Sequence, residues 1–373
     1  MPGIGQLRRW PAEMGSCDIL ISGTGSFAAR IAFDIAAVAA EPVEVIIAGR
    51  NRDRLGWLRT AANARVAMFG SKARFTAHAV DLLAPDASDA LLAATNPRIL
   101  VQAASIQTSQ IIAQTGNAWT RLVAEGGLSA TAIFQALISS RVAAAISRRG
   151  QPVTLLNCSF PDVVDGMITA QGHRVACGMG NVAILSNVFA GSASVPRGAE
   201  VKVIAHYQNL AAWRQAPSAR GGRPPRVWID GQEVEDVFAR FADIQLTPEP
   251  VIEISGASGV PMLLAMASGR DWLGHVPGPN GLPGGYPVRL SKGELALDLP
   301  PGLGEDEAVR WNAAFEAQNG LVVGSEGRVS FTGALYDRLV AYRPELKTGF
   351  PVSDLEAVCD DLLALRDQLI AAP

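Results

Sequence analysis

The stretch that decides the fold is residues 18–54, DILISGTGSFAARIAFDIAAVAAEPVEVIIAGRNRDR. An apolar run at Asp18–Ser22 leads into a glycine-containing turn, a helical pattern reaching Ala40 and a second apolar run at Val43–Ala48. Short apolar runs bounded by turn residues are typical of buried strands. The stretch therefore predicts a strand, a tight turn, a helix and a second strand.

The turn has the pattern G-x-G-x-x-A, formed by Gly23, Gly25 and Ala28. In such a unit the first glycine permits the turn, the second lets backbone approach a pyrophosphate, and the small third residue lets helix and strand pack closely. The pyrophosphate would lie at the helix N-terminus. An ordinary turn is the alternative, but a strand, a helix and a second strand within about thirty residues favour a dinucleotide site. The predicted binding residues are Gly23, Thr24, Gly25, Ser26 and Phe27.

The second strand ends in Gly49-Arg50-Asn51-Arg52, where an NAD-selective site usually offers Asp or Glu to the ribose. Arg50 can pair with a 2′-phosphate, Asn51 can add a hydrogen bond, and Arg52 raises the local positive potential. A solvated surface cluster is the alternative. The position favours NADP(H) as cofactor, and one charge-assisted hydrogen bond, worth roughly 1.5–3 kcal/mol, corresponds to about a 10- to 100-fold preference for NADPH.

Composition bounds the class of protein. A chain of 373 residues is long enough for two domains, and a net charge of −3 argues against a nucleic-acid binder. The four cysteines show no C-x-x-C spacing, so no metal site is expected. Residues 1–15 lack the apolar core of a secretory signal, and the apolar helical stretch near Ala28–Ala40 is too short to cross a bilayer. We expect a cytoplasmic protein that does not bind a membrane, and we expect residues 1–15 to form a loosely packed arm.

Further apolar runs alternate with helical patterns as far as about Gly180. Six strand candidates separated by helices predict a Rossmann-type doubly wound parallel sheet, an α/β fold. Beyond Gly180 the strands are shorter and less regularly spaced, which predicts an α+β domain for substrate binding and oligomerisation. The predicted domains are thus residues 1–180 and 181–373.

Polar residues follow the third and fourth strand candidates. Asp81 can meet the adenine edge of a dinucleotide or cap the next helix. Ser105 and Gln107 would lie near the nicotinamide and the substrate if they stand at the switch point of the sheet. Capping of the following helix is their alternative role.

The order of elements resembles the lactate/malate dehydrogenase superfamily over most of the chain. The resemblance rests on the Gly23-x-Gly25 unit, Asn157–Asp165 (NCSFPDVVD), Cys177–Asn181, Val203–His206, Gly256–Val260 and Gly284–Pro287. It implies an oxidoreductase that binds a nicotinamide dinucleotide and a small-molecule substrate. By the same resemblance the protein would be a homodimer or homotetramer.

One stretch departs from that family. The family carries an aspartate that orients its catalytic histidine and an arginine that clamps the substrate carboxylate after the turn that follows the sixth strand. Residues 180–191 here contain neither an acid nor an arginine. A 2-hydroxy acid is therefore doubtful as substrate, and Arg121 or Arg197 would have to replace the clamp.

Two residues are the predicted catalytic groups. His206 matches the family's catalytic histidine, and a pKa near ~6.5 suits imidazole to proton donation at neutral pH. A structural histidine beside Tyr207 is the alternative. Its orienting acid would be Asp162 or Asp165, although Asp162 can equally cap a helix. Asn157 is predicted to bind the substrate oxygen or the nicotinamide amide, or else only to satisfy loop backbone.

These observations favour an NADP(H)-dependent reductase acting on a ketone or imine of a small to moderate-size metabolite. A dinucleotide-binding sensor or scaffold without turnover is the first alternative, because residues 180–191 lack the family's charged groups. A metal-using NAD-dependent glycosidase is the second, and Gly178 in place of a histidine after Cys177 argues against it.

Overall fold

The protein is described here by a computed structural model of residues 17–107, 111, 114–150, 152–247, 249, 251–324 and 326–371. The arm predicted at residues 1–15 lies outside these residues.

A six-stranded parallel sheet forms the centre of the amino-terminal half. Its strands are β1 (Ile19–Ser22), β2 (Val43–Gly49), β3 (Ala73–Ala79), β4 (Ile99–Gln102), β5 (Thr154–Asn157) and β6 (Cys177–Gly178). They lie in the order β3-β2-β1-β4-β5-β6, and every neighbouring pair is parallel. The strand order reverses between β1 and β4, which confirms the predicted doubly wound sheet and places the switch point at the ends of these two strands.

Helices cover both faces of this sheet. They are α1 (Ser26–Val38), α2 (Arg52–Phe69), α3 (Ala87–Thr95), α4 (Ala118–Gly126), α5 (Ala132–Arg149), α6 (Pro161–Ala170) and α7 (Asn181–Ala190). The sequence pattern of residues 126–149 predicts a long helix, and α5 is that helix, while α4 ends at Gly126. Gly127 follows α4 with φ +87° and ψ 173°, an extended positive-φ conformation that favours glycine and ends the helix.

One helical segment, Leu128–Arg149, is long and apolar enough to span a bilayer by length and composition. Its mean hydropathy is 1.3, and 83% of the segment is buried inside the protein. Such burial is typical of a core helix, and α5 packs against α3, α6 and the carboxy-terminal helix.

The carboxy-terminal half has an α+β architecture, as predicted. Its described strands form three antiparallel sheets, namely β7 (Val201–Ile204), β8 (Arg226–Ile229) and β9 (Gln232–Glu233); β10 (Trp272–Pro277), β11 (Gly285–Ser291) and β12 (Glu294–Leu297); β13 (Gly320–Val323), β14 (Arg328–Thr332) and β15 (Phe350–Pro351). Its helices are α8 (Val237–Arg240), α9 (Ile252–Ser258), α10 (Val260–Ser268), α11 (Glu305–Gln318), α12 (Gly333–Tyr342) and α13 (Leu355–Ala371).

Hydrophobic contacts join the two halves across residue 180. On one face of the sheet, Trp119 and Phe134 belong to the same buried cluster as Leu335 of α12 and Leu362 of α13. On the other face, residues of β1 and α1 share a buried cluster with Met262 of α10. A fully buried side chain of this size contributes about 1.5–3 kcal/mol, so these contacts hold the carboxy-terminal half firmly on the sheet.

Candidate functional site

The glycine turn after β1 has little room on the side that faces the sheet. Gly23 has φ +130°, and a Cβ there would lie 3.0 Å from the carbonyl carbon of Ala103, just after β4. A side chain at this position would be strained and would collide with backbone. Gly23 therefore lets the β1–α1 turn and the chain leaving β4 approach each other at the switch point.

The start of α1 is open. Gly25 is its N-cap residue, no heavy atom lies within 4 Å of the place where a Gly25 Cβ would stand, and Ser26 beside it is exposed. The helix has no side-chain cap and no acid in its first turn. Free backbone N–H groups and the positive end of the helix dipole therefore face accessible space, an arrangement that suits a phosphate.

Thr24 and Phe27 fix the two sides of this turn. A Cβ at Gly49 would lie 2.8 Å from Cγ2 of Thr24, so the end of β2 must be glycine for the turn to pack there. Phe27 is half-buried, and a Cβ at Gly180 would lie 3.7 Å from its ring. The chain after β6 thus lies beside the first turn of α1.

Basic residues lie at the end of β2. Arg50, Asn51 and Arg52 are exposed, and neither arginine makes an ion pair with any of the described residues. Asn51 caps α2 by accepting the Arg54 N–H at 2.9 Å. Arg54 donates from Nε to the carbonyl of Thr24 at 3.3 Å and lies over the exposed ring of Trp57. The Arg54 side chain therefore connects the start of α2, where Arg50, Asn51 and Arg52 lie, to the glycine turn.

Asp81 and Ser105 make local contacts at the ends of β3 and β4. Asp81 is exposed, and its side chain accepts the Leu83 N–H at 3.1 Å. It does not cap α3, which begins at Ala87 after Asp86. Ser105 is half-buried and donates to the carbonyl of Gln107 at 2.7 Å. The parallel sheet brings both residues to the same edge as the glycine turn.

Asn157, at the end of β5, is fully buried and uses its whole amide group inside the protein. Its Nδ2 donates to Asp165 at 2.8 Å and to the carbonyl of Ser159 at 3.1 Å. Its Oδ1 accepts from Ser139 at 2.9 Å and from the Ser159 N–H at 3.0 Å. The described structure leaves the Asn157 side chain without a free N–H. These contacts correspond to the alternative given by the sequence, in which Asn157 forms hydrogen bonds with the backbone of the following loop.

Two buried carboxylates lie on α6. Asp162 accepts the Tyr207 N–H at 3.0 Å and a second hydrogen bond from the Asn181 amide, and burial raises its pKa to about 6. Asp165 accepts from Asn157, and burial raises its pKa well above the ordinary value. Neither carboxylate touches the ring of His206 in the described contacts, so neither orients that ring as the sequence suggested.

His206 follows β7 and is almost completely buried. Its Nδ1 accepts the Gln208 N–H at 3.4 Å, and its ring stacks on Phe315 with centroids 4.9 Å apart. Tyr207 packs against Phe160, which follows β5, so the His206 segment lies beside the carboxyl edge of the sheet. Burial lowers the pKa of His206 to about 3.

The carboxylate beside His206 is Glu316 of α11. Its Oε1 lies 3.4 Å from Nε2 of His206, and burial raises the pKa of Glu316 to about 7. Sequence reasoning missed this residue, because Glu316 belongs to no motif and is distant from His206 along the chain. The buried position of a glutamate on an otherwise amphipathic helix is visible only once the helix is packed.

The two arginines predicted as possible substitutes for the substrate clamp lie apart from His206 and Glu316. Arg121 on α4 and Arg197 after α7 are both exposed, and neither contacts His206 or Asn157 in the described structure. Two cavities, of about 550 and 270 Å³, include His173 and His275 in their linings, but none of the residues of the glycine turn. Within the described residues, no group of three or more His, Cys, Asp or Glu could hold a metal ion.

Comparison with known proteins gives matches among solved structures. No family model matches the chain, and no curated protein matches it significantly. A lactate dehydrogenase from Eimeria maxima, crystallised with NADH and oxamate, has 14% identity and a TM-score of 0.50 over 82% of this chain and 95% of its own. One from Cryptosporidium parvum, complexed with lactic acid and nicotinamide adenine dinucleotide, has 14% identity and a TM-score of 0.51 over 79% and 93%. A malate dehydrogenase from Cryptosporidium parvum has 15% identity and a TM-score of 0.48 over 80% and 96%.

The first two of these structures match this chain over more than nine-tenths of their own length. At such low identity the agreement concerns the fold. The resemblance predicted from the sequence is confirmed at this level, and the chain has the fold of these lactate dehydrogenases.

Proposed function

We propose that this chain is an NADP(H)-dependent oxidoreductase that reduces a ketone or imine of a small to moderate-size metabolite. The observation that carries the proposal is the open, uncapped start of α1 at Gly25, with Arg50 exposed and without an ion-pair partner among the described residues at the end of β2. The two lactate dehydrogenases of the same fold, whose structures contain NADH or nicotinamide adenine dinucleotide, support the dinucleotide.

Selection of the phosphorylated dinucleotide is assigned to the end of β2. The pyrophosphate would lie on the N–H groups at the start of α1, contacted by Gly23, Thr24, Gly25, Ser26 and Phe27. The 2′-phosphate would bind Arg50, Asn51 and Arg52, where no acid offers its oxygens to a ribose hydroxyl. Asp81 and Ser105 would lie near the adenine and the nicotinamide, respectively.

A bound reduced nicotinamide supplies the hydride, and the protein must supply the proton. His206 is the proposed donor because its segment lies beside the carboxyl ends of the strands. A substrate atom would have to reach Nδ1, which accepts the Gln208 N–H at 3.4 Å. The absence of an arginine on α7 favours a carbonyl or imine substrate over one held through its carboxylate.

Binding titrations test the cofactor. We expect NADPH to bind about 10- to 100-fold more tightly than NADH, and Arg50→Ala to remove most of this difference while changing NADH affinity little. Arg59→Ala, an exposed arginine further along α2, is the matched control and should leave both affinities unchanged. Equal affinity for the two dinucleotides in the unaltered protein would contradict the assignment of NADP(H).

Turnover distinguishes a reductase from a dinucleotide-binding sensor. NADPH absorbance is followed with a panel of ketones, imines and 2-oxo acids at saturating dinucleotide. Oxidation with a ketone or imine supports the proposal, and a preference for 2-oxo acids would contradict the proposed substrate class. Tight NADPH binding without turnover on any compound would favour the sensor.

The same proposal includes a homodimer or homotetramer in the cytoplasm, with a nucleotide-binding part at residues 1–180 and a substrate and oligomerisation part at residues 181–373. Light scattering after size-exclusion chromatography measures the mass directly. A monomer of 39.2 kDa at working concentrations would contradict the oligomer.

A further inference from the structure

A buried polar pair lies at the switch point of the parallel sheet. Ser22 ends β1 and Gln102 ends β4, the two residues are opposite each other in the strand register, and both are 0% exposed. The residues that precede them in both strands are apolar. Because a polar side chain is costly to bury unless it is hydrogen-bonded, the contacts of this pair show what the two side chains hold in place.

The Gln102 side chain joins the strand ends to the loop that follows β4. Its Nε2 donates to the carbonyl of Ala104 at 2.7 Å, and its Oε1 accepts from the Ser22 hydroxyl. A carbonyl can only accept, so the amide nitrogen must face Ala104, which leaves Oε1 for Ser22. The hydroxyl of Ser159, which follows β5, donates to the same carbonyl at 3.3 Å. Residues at the ends of three strands thus fix the direction of the Ala104 carbonyl.

The direction of this carbonyl decides where the next N–H points. In a trans peptide the C=O and the following N–H point in opposite directions, so the Ser105 N–H is directed away from Gln102. By strand alternation Gln102 lies on the sheet face that carries Leu100, whereas α1 packs on the other face, in one cluster with Val101. The Ser105 N–H therefore faces the α1 side of the switch point.

The Ser105 N–H is an unused donor. Among the residues that the structure describes, none accepts it, whereas the Ala103 N–H in the same loop donates to the Ser22 carbonyl at 2.8 Å. Ser105 is half-buried, and the residue before it lies against the glycine turn, since a Cβ at Gly23 would be 3.1 Å from the Ala104 nitrogen. A partly desolvated N–H without a partner is costly, so this position suits an oxygen acceptor on a bound ligand.

We propose that Gln102 is a positioning residue for the dinucleotide: it holds the Ala104 peptide so that the Ser105 N–H binds an oxygen of the ribose-phosphate that carries the nicotinamide. The inference rests on the proposed function and names a further part of the same site. The sheet order β2-β1-β4 places β2, which would contact the adenosine, on the opposite side of β1 from Gln102. A change at Gln102 should therefore affect the nicotinamide half of the ligand and spare the adenosine half.

The test uses the full chain and four ligands of increasing length: 2′,5′-ADP, 2′-phosphoadenosine 5′-diphosphate, 2′-phospho-ADP-ribose and NADPH. Gln102→Met nearly keeps the side-chain volume but loses both hydrogen bonds. It should bind 2′-phospho-ADP-ribose and NADPH about 10-fold more weakly than the unaltered chain, and 2′,5′-ADP equally well. A loss that is already present with the diphosphate identifies a phosphate oxygen as the acceptor, and a loss that begins with the ribose identifies a ribose oxygen.

Gln135→Met is the matched control. Gln135 is also buried, and its Nε2 donates to the Thr131 hydroxyl at 2.8 Å at the start of α5, away from the switch point. All four ligands should bind this variant as they bind the unaltered chain. Ser22→Ala leaves the Nε2 contact with Ala104 in place, so it should weaken NADPH binding less than Gln102→Met does.

The Ser105 amide gives a second readout, which a purely structural role of Gln102 would not change. In ¹H–¹⁵N spectra of the unaltered chain, 2′-phospho-ADP-ribose should shift the Ser105 amide proton downfield. This shift should be lost in Gln102→Met, while the Gly25 amide still responds. If Gln102→Met does not fold, the unaltered chain decides, and a Ser105 amide that does not respond overturns the proposal.

Three results with folded Gln102→Met would also overturn it: unchanged affinities, equal weakening of all four ligands, and a loss confined to NADPH, which would indicate a contact with the nicotinamide ring. If NADH binds more tightly than NADPH, the choice of NADP(H) fails, and AMP, ADP, ADP-ribose and NADH then test Gln102 in the same way. If neither dinucleotide binds the unaltered chain, the proposed function fails and this inference fails with it.

Discussion

At the scale of single residues, His206 is held by the protein on every side. Its ring is stacked on Phe315, both ring nitrogens face protein atoms, and its side chain is 0% exposed. The lone His in this segment was the residue that sequence reasoning chose as proton donor. Because the ring is enclosed, a substitution that reduces the volume of the side chain at position 206 will lower stability as well as any turnover.

His206→Gln, which keeps a polar side chain but cannot carry a proton near neutral pH, tests the donor directly. We expect turnover to fall by about 100-fold while NADPH affinity stays within about twofold, since a general acid contributes roughly 10²–10⁴-fold. His173→Gln, at a partly exposed histidine in the larger cavity, is the control. Steady-state kinetics and titration measure both quantities, and undiminished turnover in folded His206→Gln would assign proton donation to another group.

At the scale of elements, α1 has an N-terminus that is less stable than it could be. An acid in the first turn would interact favourably with the helix dipole, but α1 has none there and has no side-chain cap. This is the arrangement expected when the positive end of the helix is kept for an anion. Helix stability and phosphate binding then place opposite demands on the same turn.

Ser26→Asp should separate these demands. The new carboxylate lies in the first turn of α1, so we expect the unfolding free energy to rise by about 0.3–1 kcal/mol at low salt. NADPH affinity should fall by 10-fold or more, on the order of the charge-assisted contact that is replaced by repulsion. Urea denaturation and binding titration measure the two effects, with Ser26→Asn as the uncharged control. Unchanged affinity would show that no phosphate binds at this helix.

The elements also show what the sequence could and could not predict. The first two parallel strands and the glycine turn between them were predictable, because buried strands and tight turns leave local patterns in Asp18–Arg54. Strand β10 and helix α12 were not predicted. β10 is defined by its pairing with β11, from Trp272 opposite Leu290 to Pro277 opposite Gly285, a contact that no local pattern reports.

Helix starts were less predictable than helix interiors. The three-residue spacing of Ser353 and Glu356 is typical of a capping box and predicts one at the start of the last helix. Instead, residues 352–354 form a 3₁₀ turn in which Ser353 donates to Asp354, and Glu356 pairs with Arg141 of α5. The ion pair of Glu356 with Arg141 thus takes the place of the expected local contact between Glu356 and the backbone of Ser353. The partner of His206 escaped prediction for the same reason, because packing alone brings α11 to the end of β7.

At the scale of the whole molecule, buried ionisable groups make stability depend on pH. Burial raises the pKa of Glu316 from 4.5 to about 7 and that of Asp162 from 3.8 to about 6. Their contribution to stability is fully present below the unfolded values and is lost as pH rises through about 6 to 7. His206 acts in the opposite sense, because its lowered pKa gives stability above pH 6.5 that is lost as pH falls toward 3.

Comparison of the unaltered chain with Glu316→Gln isolates one of these groups. Between pH 5 and pH 8 the unaltered protein should lose on the order of 2 kcal/mol more unfolding free energy than the variant, because only the unaltered protein must bury an ionised carboxylate at position 316 at high pH. Urea denaturation at several pH values provides the measurement. Parallel pH profiles for the two proteins would mean that Glu316 has the same pKa folded and unfolded.

The packing of α12 and α13 against Trp119 and Phe134 has a further consequence for anyone who wishes to reuse this scaffold. An amino-terminal half cut out at residue 180 would expose these aromatic and leucine side chains to water and would be prone to precipitate. Exchanging the amino-terminal half of this chain with that of another protein would therefore require transferring α12 and α13 together with the parallel sheet, although these helices lie at the opposite end of the polypeptide.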